Sequence, residues 1–202
     1  MSMRSITLVD LDQADYRRLV RRSAVPDSSI RAAAAEIVDR VRLGGDAALL
    51  AANDEYGGGP TTGSVRVPPD TIGTAFGTVG PAVREALKAA AENIRNVHER
   101  QRPADDRFEV QPGVVVERLW SPVHRVGVYV PGGRAAYPSS VLMGVVPAQV
   151  AGVEEIAVVS PGDADGTVHP LVLAACALLG VDEIYATGGS QAIGALAHGT
   201  AT

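Results

Sequence analysis

Cysteine is nearly missing from this chain. Cys176 is the only one in 202 residues, which excludes an internal disulfide framework and a zinc cluster built on cysteines. Lysine is as scarce: of the 18 Lys and Arg residues, Lys88 is the one lysine, a bias we read as genome composition and not as function. Long apolar runs are missing too. No stretch approaches the roughly 18 unbroken apolar residues of a membrane helix, and the N-terminal MSMRSITLVDLDQ carries acids where a signal peptide has its apolar region. The net charge of −5 argues against nucleic acid as the main partner. The expectation is a cytoplasmic protein with neither a membrane nor a nucleic acid as partner. The standard nucleotide fingerprints G-x-G-x-x-G and G-x-x-x-x-G-K-[ST] are absent, and no two of His98, His124, His169 and His198 have metal-ligand spacing such as H-x-x-x-H. No G-x-S-x-G surrounds Ser139 or Ser190, so both read better as helix caps.

What is present is organised around Arg125–Ser139, RVGVYVPGGRAAYPS. Val126, Val128 and Val130, with Tyr129 between, form a β-rich run that stops at Pro131-Gly132-Gly133, the mark of a buried strand ending in a tight turn. A helix from Ser139 or Ser140 to about Gly152 follows, with a kink or an early end expected at Pro147. Glu155–Ser160 is a second buried strand, His169–Gly180 an apolar helix, and Glu183–Thr187 a third strand ending in Gly188-Gly189-Ser190-Gln191. β-Branched runs joined by crossover-length helices predict a parallel sheet over 125–130, 155–160 and 183–187. Eight charged residues lie after position 120 and the other 33 before it. The back of the chain therefore reads as buried α/β core and the front as solvated helices.

In that front, Asp10–Arg22 reads as a short amphipathic helix capped by Asp10 or Asp12. A second helix follows Asp27-Ser28-Ser29, with Ile30, Ala34, Ile37 and Val41 on one face and Gly44-Gly45 at its end. Another starts at Asp46 and runs out near Tyr56, followed by a loop over Gly57–Gly63 and a further short helix over Asp70–Phe76. Pro81–Gln101 carries the clearest stripe, Val83, Leu87, Ala90, Ile94 and Val97. FEVQPGVVVERLW, Phe108–Trp120, reads as a hairpin about Pro112-Gly113.

Ligands bind open parallel sheets at the carboxyl ends of the strands, and both Gly-Gly turns fall there. Taken alone, this pattern more often marks tight turns without a ligand. Tyr129 is placed to stack on a ring or donate a hydrogen bond, or simply to pack on a helix. Gln191 is placed to read a ligand amide or hydroxyl, or is an ordinary polar first-turn residue. Cys176 reads as an inert core residue, and no acid–base pair stands out.

RVGVYVPGGRAAYPSSVLMGVVPAQVAGVEEIAVVSPG and LGVDEIYATGGSQAIGALAHGT, together with the GGDAALL and QPGVVVERLWSPVHRVGVYVPGG segments, closely resemble histidinol dehydrogenase. The resemblance covers essentially all of the chain. It implies an NAD- and zinc-dependent oxidoreductase that converts L-histidinol to L-histidine through a bound aldehyde, working as a homodimer. The fold it implies is α/β: a Rossmann-like parallel sheet with flanking helices, preceded by an N-terminal helical segment and a hairpin, and incomplete relative to the family. The division expected is an N-terminal helical segment over 1–107 and a hairpin plus Rossmann-like NAD-binding domain over 108–202. By family position, Tyr129 and Gln191 belong to the NAD site. Ser190 and His198 depart from the residues usual there. The family's chain is about twice this length, so this one reads as its N-terminal half. A third NAD contact, the catalytic Glu-His pair and the Gln, His, Asp and His zinc ligands fall beyond Thr202. No catalytic residue and no zinc ligand is assigned here. The 202 residues alone are expected to be inactive, with an apolar sheet edge exposed after the third strand; the alternative is a truncated, inactive nucleotide-binding fragment.

Overall fold

The computed structural model of the chain describes residues 11–20, 28–132 and 135–202. Asp10, Arg21, Arg22, Asp27 and Gly133, which entered the sequence reading as caps, a helix end and a turn, lie outside the described residues. The chain clusters into two compact units, Met1–Glu36 and Ile37–Thr202. In the first, helix α1 (Gln13–Val20) starts at Asp12, whose Oδ1 accepts the N–H groups of Ala14 and Asp15 at 2.8 and 2.7 Å. A carboxylate there satisfies orphan donors at the positive end of the helix. Helix α2 (Ser28–Tyr56) contains Gly45 at φ 55, ψ −140. It is therefore two helices meeting where Gly44-Gly45 predicts a break, in a conformation that glycine adopts readily.

The second unit, which takes in α2 from Ile37 onward, is an α/β fold. Helices α3 (Pro69–Thr78) and α4 (Pro81–Glu99) precede a hairpin of β1 (Asp106–Gln111) and β2 (Val114–Arg118). Then come β3 (Arg125–Tyr129), α5 (Pro138–Ala151), β4 (Glu155–Ser160), α6 (Pro170–Leu178), β5 (Glu183–Ala186) and α7 (Gly189–His198). The three later strands form one parallel sheet in the order β3-β4-β5, with Val128 opposite Val158 and Val158 opposite Ile184. That face, Val128, Val130, Val158 and Ile184, packs with Val141, Val145 and Val146 of α5 and with the α6 residues Val172–Cys176. Burying such β-branched and aliphatic side chains contributes about 1.5–3 kcal/mol each. α3 and α4 close this layer through Ile72, Ala75, Leu87 and Ala91. On the opposite face Gly127 lies so close to α7 that a Cβ there would meet Leu196 at 2.7 Å.

Four local expectations change. Helix α5 begins at Pro138 with Tyr137 as its cap residue and no side-chain cap, so neither Ser139 nor Ser140 caps it; α7 likewise has Gly188 as its cap residue and no side-chain cap, so Ser190 does not cap it. Pro at the first helical position loses no bond and presets φ. α5 also runs through Pro147 to Ala151 without an early end, closing on Gly152 at φ 90. The carbonyl that Pro147 leaves without a helical donor is that of Met143, whose residue is exposed overall. The α4 stripe is buried only in its middle: Leu87 is buried and Ala90 and Ile94 pack against the core, while Val83 and Val97 are exposed. Finally, the outer edge of β5 is not bare. Residues 65–67 run antiparallel beside it, with Val67 N–H donating to Ile184 O at 2.8 Å and Ala186 N–H to Val65 O at 2.7 Å. A β-branched SVRV segment thus covers the edge.

Candidate functional site

At the carboxyl edge of the sheet three chain turns and one front loop meet. β3 ends at Tyr129 and passes through Val130 to Pro131-Gly132. β4 ends at Ser160 and turns at Pro161. β5 ends at Ala186 and passes through Thr187 and Gly188 into α7. These backbones approach to contact because side chains are missing. A Cβ on Gly132 would stand 3.2 Å from the Pro161 ring, and one on Gly188 would stand 2.6 Å from it. The front loop joins them from α2: a Cβ on Gly59 would lie 2.1 Å from Ala186 O, and Gly58 O accepts Gly162 N–H at 3.0 Å. Glycine at these places lets backbone pack on backbone.

Tyr129 and Gln191 both reach Gly189, the first residue of α7. The Tyr129 hydroxyl accepts the Gly189 N–H at 3.2 Å while the tyrosine stays 37% exposed. Gly189 is at φ 66, and its missing Cβ would fall 2.4 Å from Gln191 Oε1. Gln191 itself is 1% exposed. Its Nε2 donates to Asn53 Oδ1 at 3.2 Å and to Gly57 O at 3.1 Å, so Gln191 is a buried, bonded residue and not merely a polar first-turn one. Asn53 is equally buried; its Oδ1 also accepts the Thr187 hydroxyl at 3.0 Å, and its Nδ2 donates to Pro60 O at 2.9 Å. Sequence reasoning read a loop over Gly57–Gly63 and a strand ending at Thr187 but gave neither of them, nor Asn53, a place at this edge. The available signal was the run Gly57-Gly58-Gly59 directly after a helix. At this cluster the N-terminus of α7 offers a partial positive charge and first-turn N–H groups that the helix itself leaves without partners, of which that of Gly189 is given to Tyr129; such an end is the usual complement of an anion.

Several titratable groups lie away from this edge. Arg125, at the start of β3, bonds Glu155 at 2.6 Å and also Glu183, and the Tyr185 hydroxyl donates to Glu183 at 2.7 Å. This cluster sits at the amino end of the strands. The Glu155 hydrogen bond holds the Arg125 guanidinium above its ordinary value, and burial, then the Glu183 bond, raises the Tyr185 phenol. His124 lies 3.5 Å from Glu155 at the same end. His169 Nδ1 accepts Leu171 N–H at 3.2 Å and so caps α6. His98 and His198 sit in the last turns of α4 and α7. Burial pushes the Cys176 thiol up to about 12, which removes its nucleophilic form at neutral pH. Among the described residues no three of His, Cys, Asp and Glu gather as a metal site, and no helix is long and apolar enough to cross a membrane.

Three comparisons bear on this arrangement. The family model for histidinol dehydrogenase matches residues 20–202. The chain is 48% identical over 187 residues to the histidinol dehydrogenase of Corynebacterium jeikeium, covering 93% of this chain and 41% of that one. It is 46% identical over 202 residues to that of Thermobifida fusca, covering 98% and 46%. Its structure matches the crystal structure of histidinol dehydrogenase from Elizabethkingia anophelis with a TM-score of 0.83 at 30% identity, over 95% of this chain and 44% of that one. The chain thus spans less than half the length of these relatives. The family model covers most of the chain, and the chain belongs to the histidinol dehydrogenase family.

Proposed function

We propose that these residues carry the NAD-facing edge of an enzyme that oxidises L-histidinol to L-histidine through the aldehyde. One observation carries the reading: Tyr129 and Gln191, from the ends of two strands that are not neighbours, converge on Gly189 at the start of α7. The residues fit such a cofactor. The exposed backbone of Gly189 admits a ligand closely, the α7 N-terminus suits a pyrophosphate, and the half-exposed Tyr129 ring offers a face for stacking. Bound NAD supplies the hydride acceptor; Tyr129 and the Gly188-Gly189 turn orient it, and Gln191 supports that turn from beneath.

The zinc implied by the family resemblance finds no ligand set among the described residues, and no step is assigned to it or to a catalytic residue of this chain. The same reading makes 1–107 a helical segment and 108–202 the NAD-binding domain, in a cytoplasmic homodimer. The test is NAD titration against this chain, followed by the Tyr129 and Gln191 resonances in NMR spectra. Saturable shifts at Gly188–Gln191 and Tyr129 support the reading. Shifts confined to other parts of the sheet, or none at millimolar NAD, reject it.

A further inference from the structure

We propose that Asn53 is a positioning residue for Gln191, fixing its carboxamide so that Oε1 alone is left to meet a ligand, as an acceptor. This rests on the reading that Gln191 belongs to the NAD site. Asn53 lies near the end of α2, 1% exposed. A buried side-chain amide must find partners for both its ends, and here the partners decide which end points where. Pro60 O, 2.9 Å away, is a backbone acceptor, so it must face the Asn53 nitrogen. Asn53 Oδ1 then faces Gln191 and Thr187. An acceptor facing Gln191 requires its Nε2 there. The second Nε2 hydrogen goes to Gly57 O at 3.1 Å, again a backbone acceptor. Two backbone carbonyls thus set the direction of the whole chain of bonds, and a flip of either amide would oppose like ends.

Both Gln191 donors are thereby committed. No described residue donates to Oε1, which lies under Gly189, 2.4 Å from where a Cβ would stand. Gly189 is exposed and Gln191 is not, and we place the ligand's approach to Oε1 beside that glycine, on the side where a Cβ is missing. The ligand group suited to it is a neutral donor, a ribose hydroxyl or an amide or amino N–H of the nucleotide. A phosphate oxygen, itself an acceptor, is refused at this atom and belongs at the N–H groups of α7.

The experiment uses the 202-residue chain in five forms: wild type, Asn53→Ala, Asn53→Asp, Gln191→Ala and the Asn53→Ala/Gln191→Ala double variant. NMR follows hydrogen exchange of the Gln191 carboxamide protons together with the β4 backbone amides, and NAD affinity is measured by titration. In Asn53→Ala, the Gln191 protons exchange about tenfold faster or more, and NAD binds about tenfold more weakly, while β4 keeps its protection. Asn53→Asp keeps an oxygen toward Gln191 but sets its other oxygen against Pro60 O, so it restores much of the Gln191 protection even though overall stability falls. A merely structural role would lower both variants together. The double variant binds NAD no more weakly than Gln191→Ala. Gln191 protons as protected in Asn53→Ala as in the wild type, or additive losses in the double variant, overturn the proposal. If Gln191→Ala binds NAD like the wild type, the NAD reading fails instead, and the exchange data still decide whether Asn53 holds Gln191.

Discussion

The hydroxyl of Tyr129 accepts the backbone N–H of Gly189 across 3.2 Å, joining the end of β3 to the start of α7 over the intervening turn at Pro161. The bond uses an N–H that the helix itself leaves without a partner, and it holds the tyrosine ring beside the turn. In a complete histidinol dehydrogenase carrying this segment, Tyr129→Ala and Gln191→Ala are expected to raise the Michaelis constant for NAD about tenfold and that for histidinol much less. Tyr129→Phe keeps the ring and loses a hydrogen bond of about 0.5–1.5 kcal/mol, so its effect is smaller. Steady-state kinetics with each substrate varied in turn checks this. An NAD constant that stays put in both alanine variants, with folding intact, would reject the assignment.

Gly189→Ala isolates the crowding at the same turn. At φ 66, an alanine costs about 1–2 kcal/mol in any surroundings. Here its Cβ would also stand 2.4 Å from Gln191 Oε1. Gly180 is a matched control: φ 70, with nothing within 4 Å of its missing Cβ. Urea denaturation should show Gly189→Ala less stable than Gly180→Ala by about 1–3 kcal/mol, the usual cost of overpacking. Equal losses at the two positions would mean that the Gln191 carboxamide moves aside freely.

The contrast between these two glycines also marks how far the sequence could be read. The parallel strands were legible because Val126–Val130, Ile156–Val159 and Ile184–Ala186 are short apolar runs stopped by turns, and such runs have few other homes. The hairpin and the break at Gly45 were legible from single residues with strong backbone preferences. Tyr129 and Gln191 were singled out by place alone, and family position weighted them; nothing local told that they meet at Gly189. Asn53 was invisible because its partners Thr187 and Gln191 lie 134 and 138 residues away. A polar residue in a solvated-looking helix gives no hint that tertiary contacts bury it. At Pro147 the early end did not follow, because a proline in a helix interior removes one hydrogen bond without having to stop the helix.

Cys176 gives the fold an alkaline limit. Burial alone raises its thiol from an ordinary 9.0 to about 12. The thiol stays neutral when folded, whereas an unfolded chain ionises it above 9.0. The folded state therefore keeps its full stability below pH 9.0 and loses part of it as the pH rises toward about 12, by about 1.4 kcal/mol per pH unit in the limit. Cys176→Ala removes this component. The difference in denaturation midpoint between wild type and variant should narrow or reverse in the variant's favour as pH rises through that window. A difference independent of pH would show that the thiol is not sealed from solvent.

Covering the outer edge of β5 falls to Val65–Val67, and the two bonds there involve buried groups. Val67 is 3% exposed and Ile184 is fully buried, so Ile184 O has no water to turn to if its donor is lost. Val67→Pro removes that donor and leaves a buried carbonyl unpaired, a cost of about 1–3 kcal/mol, besides the lost packing of the valine. Val67→Ala loses packing but keeps the N–H. Proline should therefore destabilise beyond alanine, and only proline should speed hydrogen exchange at Ala186, whose N–H donates to Val65 O at 2.7 Å. A released edge is also a template for pairing with other chains, so Val67→Pro should aggregate at concentrations where Val67→Ala remains dispersed. Equal stability, exchange and dispersion in the two variants would show that residues 65–67 merely lie beside β5 and do not cap it.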